Sequence, residues 1–138
     1  MADSPIERFL AALERLDADA VLALSAPEVR LMLADGRRAG GSKEVRALVT
    51  GLLGELRRSS YRITGSWHVE DSWIAEAVAT YELADQTVIG PLPRAFFLRA
   101  GPAGITDVRA YGAHEHPLAE RRDAERGTWL GGHWIPPL

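Results

Sequence analysis

The stretch "DVRAYGAHEHPL", residues 107–118, places an aspartate, an arginine, a tyrosine and two histidines close together near the end of the chain. Three kinds of chemistry are open to such a set. His114 and His116 flank Glu115, and on a strand two histidines at this spacing point to the same side. A zinc site needs three or four ligands in a fixed geometry, so His133 or Glu115 would have to complete it. Neither stands at a recognised metal-ligand spacing, and no metal or cofactor is expected. A histidine also titrates near neutrality, which suits His114 to acid–base work at the mouth of a pocket. The bland alternative is a polar strand end. Upstream, period-two alternation puts Asp107, Arg109 and Tyr111 on one side of a strand, with Val108 and Ala110 on the other.

These residues depend on the elements that carry them. Ser4-Pro5-Ile6-Glu7 reads as a capping box with proline at the first helical position, and Ile6, Phe9, Leu10, Leu13 and Leu16 follow on one helical face. Asp17 or Asp19 caps a second short helix, "ADAVLAL", which a turn around Pro27 ends. Val29, Leu31 and Leu33 alternate as a strand, and Asp35-Gly36 signals a hairpin turn. Ser42 is placed as the cap of a third helix running to about Arg58, with a stripe of Val45, Leu48, Val49, Leu52, Leu53 and Leu56. The period then changes. Ile63, Gly65, Trp67 and Val69 share one side of a strand, with Arg62, Thr64, Ser66 and His68 on the other. After a turn at Glu70-Asp71-Ser72, residues Trp73, Ala75, Ala77, Ala79, Tyr81 and Leu83 alternate with Ile74, Glu76, Val78, Thr80 and Glu82. A further strand covers about Arg94–Arg99 behind "GPLP", and "ITDVRAY" is the last. Helices first and long antiparallel strands afterwards predict an α+β domain, with three N-terminal helices on one face of the sheet.

The chain of 138 residues suits one domain with a substantial core. A net charge of −3 argues against nucleic acid as the main partner. There is no cysteine, which excludes disulfides and thiolate chemistry and fits a reducing cytoplasm. The charged N-terminal segment does not read as a signal peptide, and no apolar run is long enough to span a bilayer, so no membrane partner is expected. The expected division is a domain over residues 1–118 and a tail over 119–138. That tail joins a charged segment, "AERRDAERG", to an aromatic one, "TWLGGHWIPPL", and is expected to dock on its own domain or on a second subunit.

In order along the chain, "LADGRRAGG", "EDSWIAEAVATY", "PLPRAFFLRAGPAG" and "ITDVRAYGAHEHPL" resemble the nuclear transport factor 2-like fold, and more narrowly its SnoaL-like branch. The resemblance covers about residues 5–118. It implies a curved, mostly antiparallel sheet that forms a cone with an apolar pocket suited to a polyketide-, steroid- or terpenoid-like molecule. A homodimer formed through the sheet face is also expected. In related cyclases and epoxide hydrolases the final strand commonly ends Tyr-x-Asp, whereas here the match is Tyr111-Gly112-Ala113. The epoxide hydrolases' inward Arg and Asp fall at Ala77 and Ala79. Both inherited catalytic sets are therefore missing.

If Tyr111 faces the pocket, as the resemblance implies, Asp107, Arg109 and Tyr111 form a polar column inside it. Asp107 would accept a proton, Arg109 would stabilise an enolate-like oxygen and Tyr111 would donate a hydrogen bond, with His114 at the mouth. Trp67, Trp73, Tyr81, Phe97 and Ala113 are the expected ligand-lining residues. Glu76, Glu82 and His68 are assigned to a solvated or subunit-facing surface. Two functions remain open: a cofactor-free cyclase or isomerase, and a non-catalytic ligand-binding or accessory protein.

Overall fold

The computed structural model describes residues 4–33, 36–112, 128–130 and 133–135. Helix α1 spans Pro5–Glu14, α2 Ala18–Ala23 and α3 Ser42–Leu53, interleaved with strands β1 (Ser25–Met32) and β2 (Arg38–Gly40). Four long strands follow: β3 (Leu56–Val69), β4 (Ser72–Leu83), β5 (Val88–Gly101) and β6 (Gly104–Tyr111). They form a six-stranded sheet in the order β2-β1-β6-β5-β4-β3. Among the described residues of this sheet, only the β1–β6 pairing is parallel. The expected α+β architecture, with three helices on one sheet face, is the one observed.

Local chemistry explains most of the boundaries. Ser4 caps α1, its hydroxyl accepting from the Glu7 amide at 3.2 Å, and Asp17 caps α2 by accepting from Ala20 at 3.0 Å. The cap of α3 differs from expectation. Gly41 holds that position at φ 83°, Ser42 is already helical, and Glu44 reaches back to the Gly40 amide at 2.9 Å. The helix also stops at Leu53 rather than near Arg58, because Leu56 to Arg58 are already paired to β4. Pro27 does not end α2 by a turn. It lies within β1, in an irregular part of its pairing with β6, where a missing amide costs no ladder bond. "GPLP" belongs to β5 rather than leading into it.

The core lies between the helices and the inner sheet face. Ile6, Phe9, Leu10, Val45, Val49 and Leu53 from the helices meet Phe96, Leu98, Ile105, Val108 and Ala110 from the sheet. Ala75, Ala77 and Ala79 line the inner side of β4, all buried. Their small side chains set the helices close to the sheet at its middle.

Gly104 at the start of β6 is fixed by geometry. Its φ is 120°, and a Cβ there would stand 2.7 Å from the Leu24 carbonyl and 3.0 Å from the Ala26 amide. That close approach lets the Ile105 amide bond Leu24 O at 2.9 Å, which starts the β1–β6 pairing. Gly104→Ala is expected to lower stability by roughly 1–3 kcal/mol through strained backbone. Urea denaturation measures it, and a loss under a few tenths would contradict the packing described.

Strands β7 (Thr128–Leu130) and β8 (His133–Ile135) form a separate two-stranded sheet, with Trp129 opposite Trp134 in register. The docking expected for residues 119–138 otherwise lies outside the described residues. No helix among the described residues is long and apolar enough to cross a membrane.

Candidate functional site

Among the described residues, a recess lies on each face of the sheet. The inner one lies between α1, α3 and the sheet. Phe9 and Leu13 close one side, and Val49, Leu52 and Leu53 another. Leu31, Leu33 and Leu56 complete the apolar wall, and Tyr61, Tyr81, Phe96, Val108 and Ala110 form the floor. Among the described residues of this lining, the side-chain oxygens are the two tyrosine hydroxyls, which lie 3.4 Å apart within hydrogen-bond reach. The two rings meet edge-on, with centroids 6.0 Å apart, and Tyr61 also packs edge-on against Phe96 at 5.8 Å. These contacts fix where the hydroxyls point.

The cavity volume is about 50 Å³. A dry apolar cavity that admits benzene is roughly 150 Å³. Among the described residues this cavity is smaller than the roomy pocket expected for a flat polycyclic molecule: leucines from α3 and four aromatic rings fill the space left by the alanines of β4. Leu52 and Leu56 are only half-buried, so they are the part of the wall nearest to water.

The structure sorts the expected site residues by face. Phe96 pairs with Ala110 and Leu98 with Val108, so Val108 and Ala110 point into the cone. Arg109 and Tyr111 point to the outer face, where Arg109 lies over the Phe97 ring at 5.6 Å and Tyr111 is exposed. Asp107 also belongs to the outer side, accepting from Arg30 Nε at 3.1 Å. The column placed inside the cone is thus corrected to the opposite surface. Residues 107–111 alternate without a break, so with Val108 and Ala110 turned to the core the polar three must face outward, against the inward Tyr111 that the resemblance implies. Upstream the register shifts: Asp107 pairs with Arg99 but Ile105 with Ala100. An extra residue there lets Ile105 and Val108 both face inward despite their odd spacing.

A second shift, at Thr64 between Ile63 and Gly65, does the same in β3. Ile63 stays on the inner side of the edge, while Trp67 turns outward and is 52% exposed. Ser66 and His68 come to the inner side opposite Ala75 and Trp73. His68 stacks on Trp73 at 4.2 Å, and Trp73 packs at the core's margin away from the cavity. Phe97 lies outside and half-buried, and its neighbour Phe96 holds the inner place expected of it. Of the expected lining residues, Tyr81 is the one in the cavity. Ala113 and His114 lie outside the described residues, as does the His114-Glu115-His116 set. Among the described residues no three His, Asp or Glu side chains gather as metal ligands would.

Two inner-face residues escaped the sequence reading. Tyr61 was missed because α3 was carried too far, although Ser59, Tyr61 and Ile63 alternate correctly. Arg94 is 4% exposed and stands opposite Ala77, in phase with Phe96 and Leu98. Its Nη1 donates to the Pro93 carbonyl at 3.0 Å, and its stem runs under Gly112, where a Cβ would lie 3.1 Å from Cδ. An arginine in phase with buried apolar positions was the signal that could have marked it.

The outer recess lies over β2, β1 and β6. It is open, about 450 Å³, and is lined by Arg30, Met32, Arg38, Glu44, Asp107 and Arg109 among others.

The comparisons agree with this architecture. Residues 6–115 match the SnoaL-like domain family. A protein of ketosteroid isomerase-like fold from Catenulispora acidiphila DSM 44928, solved with trimethylamine, superposes with a TM-score of 0.74 at 20% identity, covering 87% of this chain and 93% of that one. An NTF2-like protein of unknown function from Burkholderia pseudomallei K96243 gives 0.68 at 16% identity, covering 78% and 87%. An LEH-like epoxide hydrolase from M. tuberculosis gives 0.69 at 16% identity, covering 84% and 81%. Matched over most of its length, and built as a helix-backed curved sheet, the chain belongs to the SnoaL-like family of the NTF2-like fold.

Proposed function

We propose that this protein binds a small apolar molecule carrying a hydrogen-bond-accepting oxygen, held in the inner cavity with that oxygen at the Tyr61–Tyr81 hydroxyl pair. The observation that carries the reading is a cavity whose lining is apolar except for these two hydroxyls, 3.4 Å apart. A tyrosine hydroxyl can both donate and accept, so the bonded pair can also donate to a ligand oxygen. The present volume favours a compact, single-ring ligand, with Leu52 and Leu56 moving outward to admit it. Orientation would come from the hydroxyls and affinity from the apolar wall.

Cofactor-free acid–base chemistry on a ketone is the second reading, and the pre-set hydroxyl pair is what favours it. Such chemistry also needs a proton acceptor. The cavity lining holds no carboxylate among the described residues, and His114 is the candidate acceptor that the sequence supplies. Non-catalytic binding is therefore the better-supported reading.

The same proposal includes a homodimer through the outer sheet face. Trp67, Ile74 and Phe97 lie in one cross-strand row there, and Val69 in the next. A self-complementary apolar patch is what a two-fold interface requires. A cytoplasmic location completes the proposal, in keeping with the acidic, cysteine-free composition, and cell fractionation checks it.

Cyclohexanone and methylcyclohexane separate the hydroxyls from the apolar wall. Tyr81→Phe should weaken cyclohexanone binding about fivefold, equivalent to the roughly 1 kcal/mol of one hydrogen bond, and leave methylcyclohexane within about twofold. Equal loss for both ligands, or binding of neither by the wild type, would contradict the assignment.

A further inference from the structure

We infer that the outer groove over β2, β1 and β6 is a second binding site, for a small molecule carrying a multivalent oxyanion such as a phosphate ester or a dicarboxylate. It faces away from the cone, and β1 and β6 form the wall between the two recesses. Leu31 and Val108 contribute to both sides of that wall.

Size is the first argument. At about 450 Å³ the groove is within the range of small-molecule sites, roughly 300–1,000 Å³. The inner cavity is far below it.

Register is the second. Met32 on β1 pairs with Arg38 on one side and Arg109 on the other. Two guanidiniums therefore rise from the same face on strands flanking one apolar floor residue, their Cα atoms about 10 Å apart by strand spacing. Arg30 stands two residues before Met32 on the same side, so three neighbouring strands each supply one arginine to the groove.

Charge is the third. The groove holds two acids, and each is engaged. Asp107 takes both Nε and Nη2 of Arg30 on one oxygen at 3.1 Å, and Glu44 accepts from the Gly40 amide at 2.9 Å. Arg38 and Arg109 meet no carboxylate within ion-pair distance among the described residues. In a protein of net charge −3, two uncompensated guanidiniums facing one recess concentrate positive potential locally.

Pre-orientation is the fourth. Arg109 rests over Phe97 at 5.6 Å, and Arg30 is tethered to an aspartate whose side chain is 12% exposed. Guanidiniums held in place lose less entropy on binding, and their planar forks match phosphate and carboxylate oxygens. Asp107, at this position, orients an arginine rather than taking a substrate proton.

Calorimetric titration of the full chain with inorganic phosphate and, separately, with succinate tests the site, against sodium chloride matched for ionic strength. One of the two should bind saturably at one per chain, and which one does identifies the anion class. Arg38→Ala and Arg109→Ala should each weaken binding about tenfold, the loss of one charge-assisted bidentate contact. Arg57→Ala, whose arginine pairs with Glu82 outside this groove, should leave it unchanged. Both groove arginines are exposed, so melting temperature should stay near that of the wild type. Heats that follow ionic strength alone, or saturable binding retained by the Arg38/Arg109 double variant, would overturn the inference. Cone-ligand affinity is unaffected in either case, so this test and that of the inner cavity fail independently.

Discussion

Phe96→Ala should lower the free energy of unfolding by about 3–5 kcal/mol, a large share of the 5–15 kcal/mol typical of a domain. Phe96 is 2% exposed and lies among alanines in register on both sides, Ala75 on β4 and Ala110 on β6. Removing the ring leaves no large cross-strand neighbour to collapse into the hole, so the cost should be at the upper end. Melting should fall by roughly 10–20 °C. Because the hole would join the inner cavity, benzene should restore part of the loss by binding only the folded state. Phe97→Ala, one residue along but on the outer face, should cost only about 1 kcal/mol, from half-buried area and cation–π contact. Urea denaturation of both variants checks this. Similar losses for the two would mean that the faces of β5 have been assigned wrongly.

Ile74→Arg should raise the dimer dissociation constant at least a hundredfold. Ile74 is 43% exposed at the centre of the outer row, between Trp67 and Phe97. An introduced guanidinium would be buried in an apolar patch that Arg99 and Arg109 already flank at Phe97. Burying like charges costs several kcal/mol, and truncating or reversing a central anchor typically costs 2 or more. The substituted position faces water in the single chain, so the monomer should stay folded. Sedimentation over the micromolar range measures the shift. A wild type that is monomeric at about 100 µM, where even weak specific pairs associate, would sink the interface, as would a variant that dimerises unchanged.

The fold was legible in the sequence because its signals are local. Ser4 and Asp17 are capping residues that cap, and the change from helical to period-two spacing places the long strands. Family resemblance then supplied the curved, mostly antiparallel sheet, whereas the parallel pairing of β1 with β6 connects residues far apart, leaves no local mark and came only from the structure. The boundary errors also have local causes. Leu56 continues the helical stripe of α3 in spacing, yet pairing with β4 claims it for a strand.

The site was less legible because side-chain facing depends on counting, and one extra residue inverts the count. Beyond Thr64 the shift sends Trp67 outward and His68 inward, and the shift in β6 lets Ile105 and Val108 share a face. The inserted residues of these two bulges, Thr64 and Thr106, are neither glycine nor proline, so nothing at them marks the shift. Ala77 and Ala79 were placed correctly on the inner side, since β4 keeps its alternation throughout. Polarity also misled: Asp107, Arg109 and Tyr111 invite a catalytic reading, while the polar groups lining the cavity, among the described residues, are Tyr61 and Tyr81, which pass as core aromatics. Arg94 shows the converse, a charge in an apolar phase that composition alone does not flag.

The central claim is that the inner cavity, not the outer face, receives an apolar ligand with its oxygen at the tyrosine pair. Methyl-resolved NMR titration with cyclohexanone tests it most directly. The account predicts saturable shifts at the methyls of Leu31, Leu52, Leu53 and Val108, weaker in Tyr81→Phe, with the Val69 and Ile74 methyls unmoved. Shifts confined to Val69 and Ile74, or no saturable change at the cavity methyls, would contradict it.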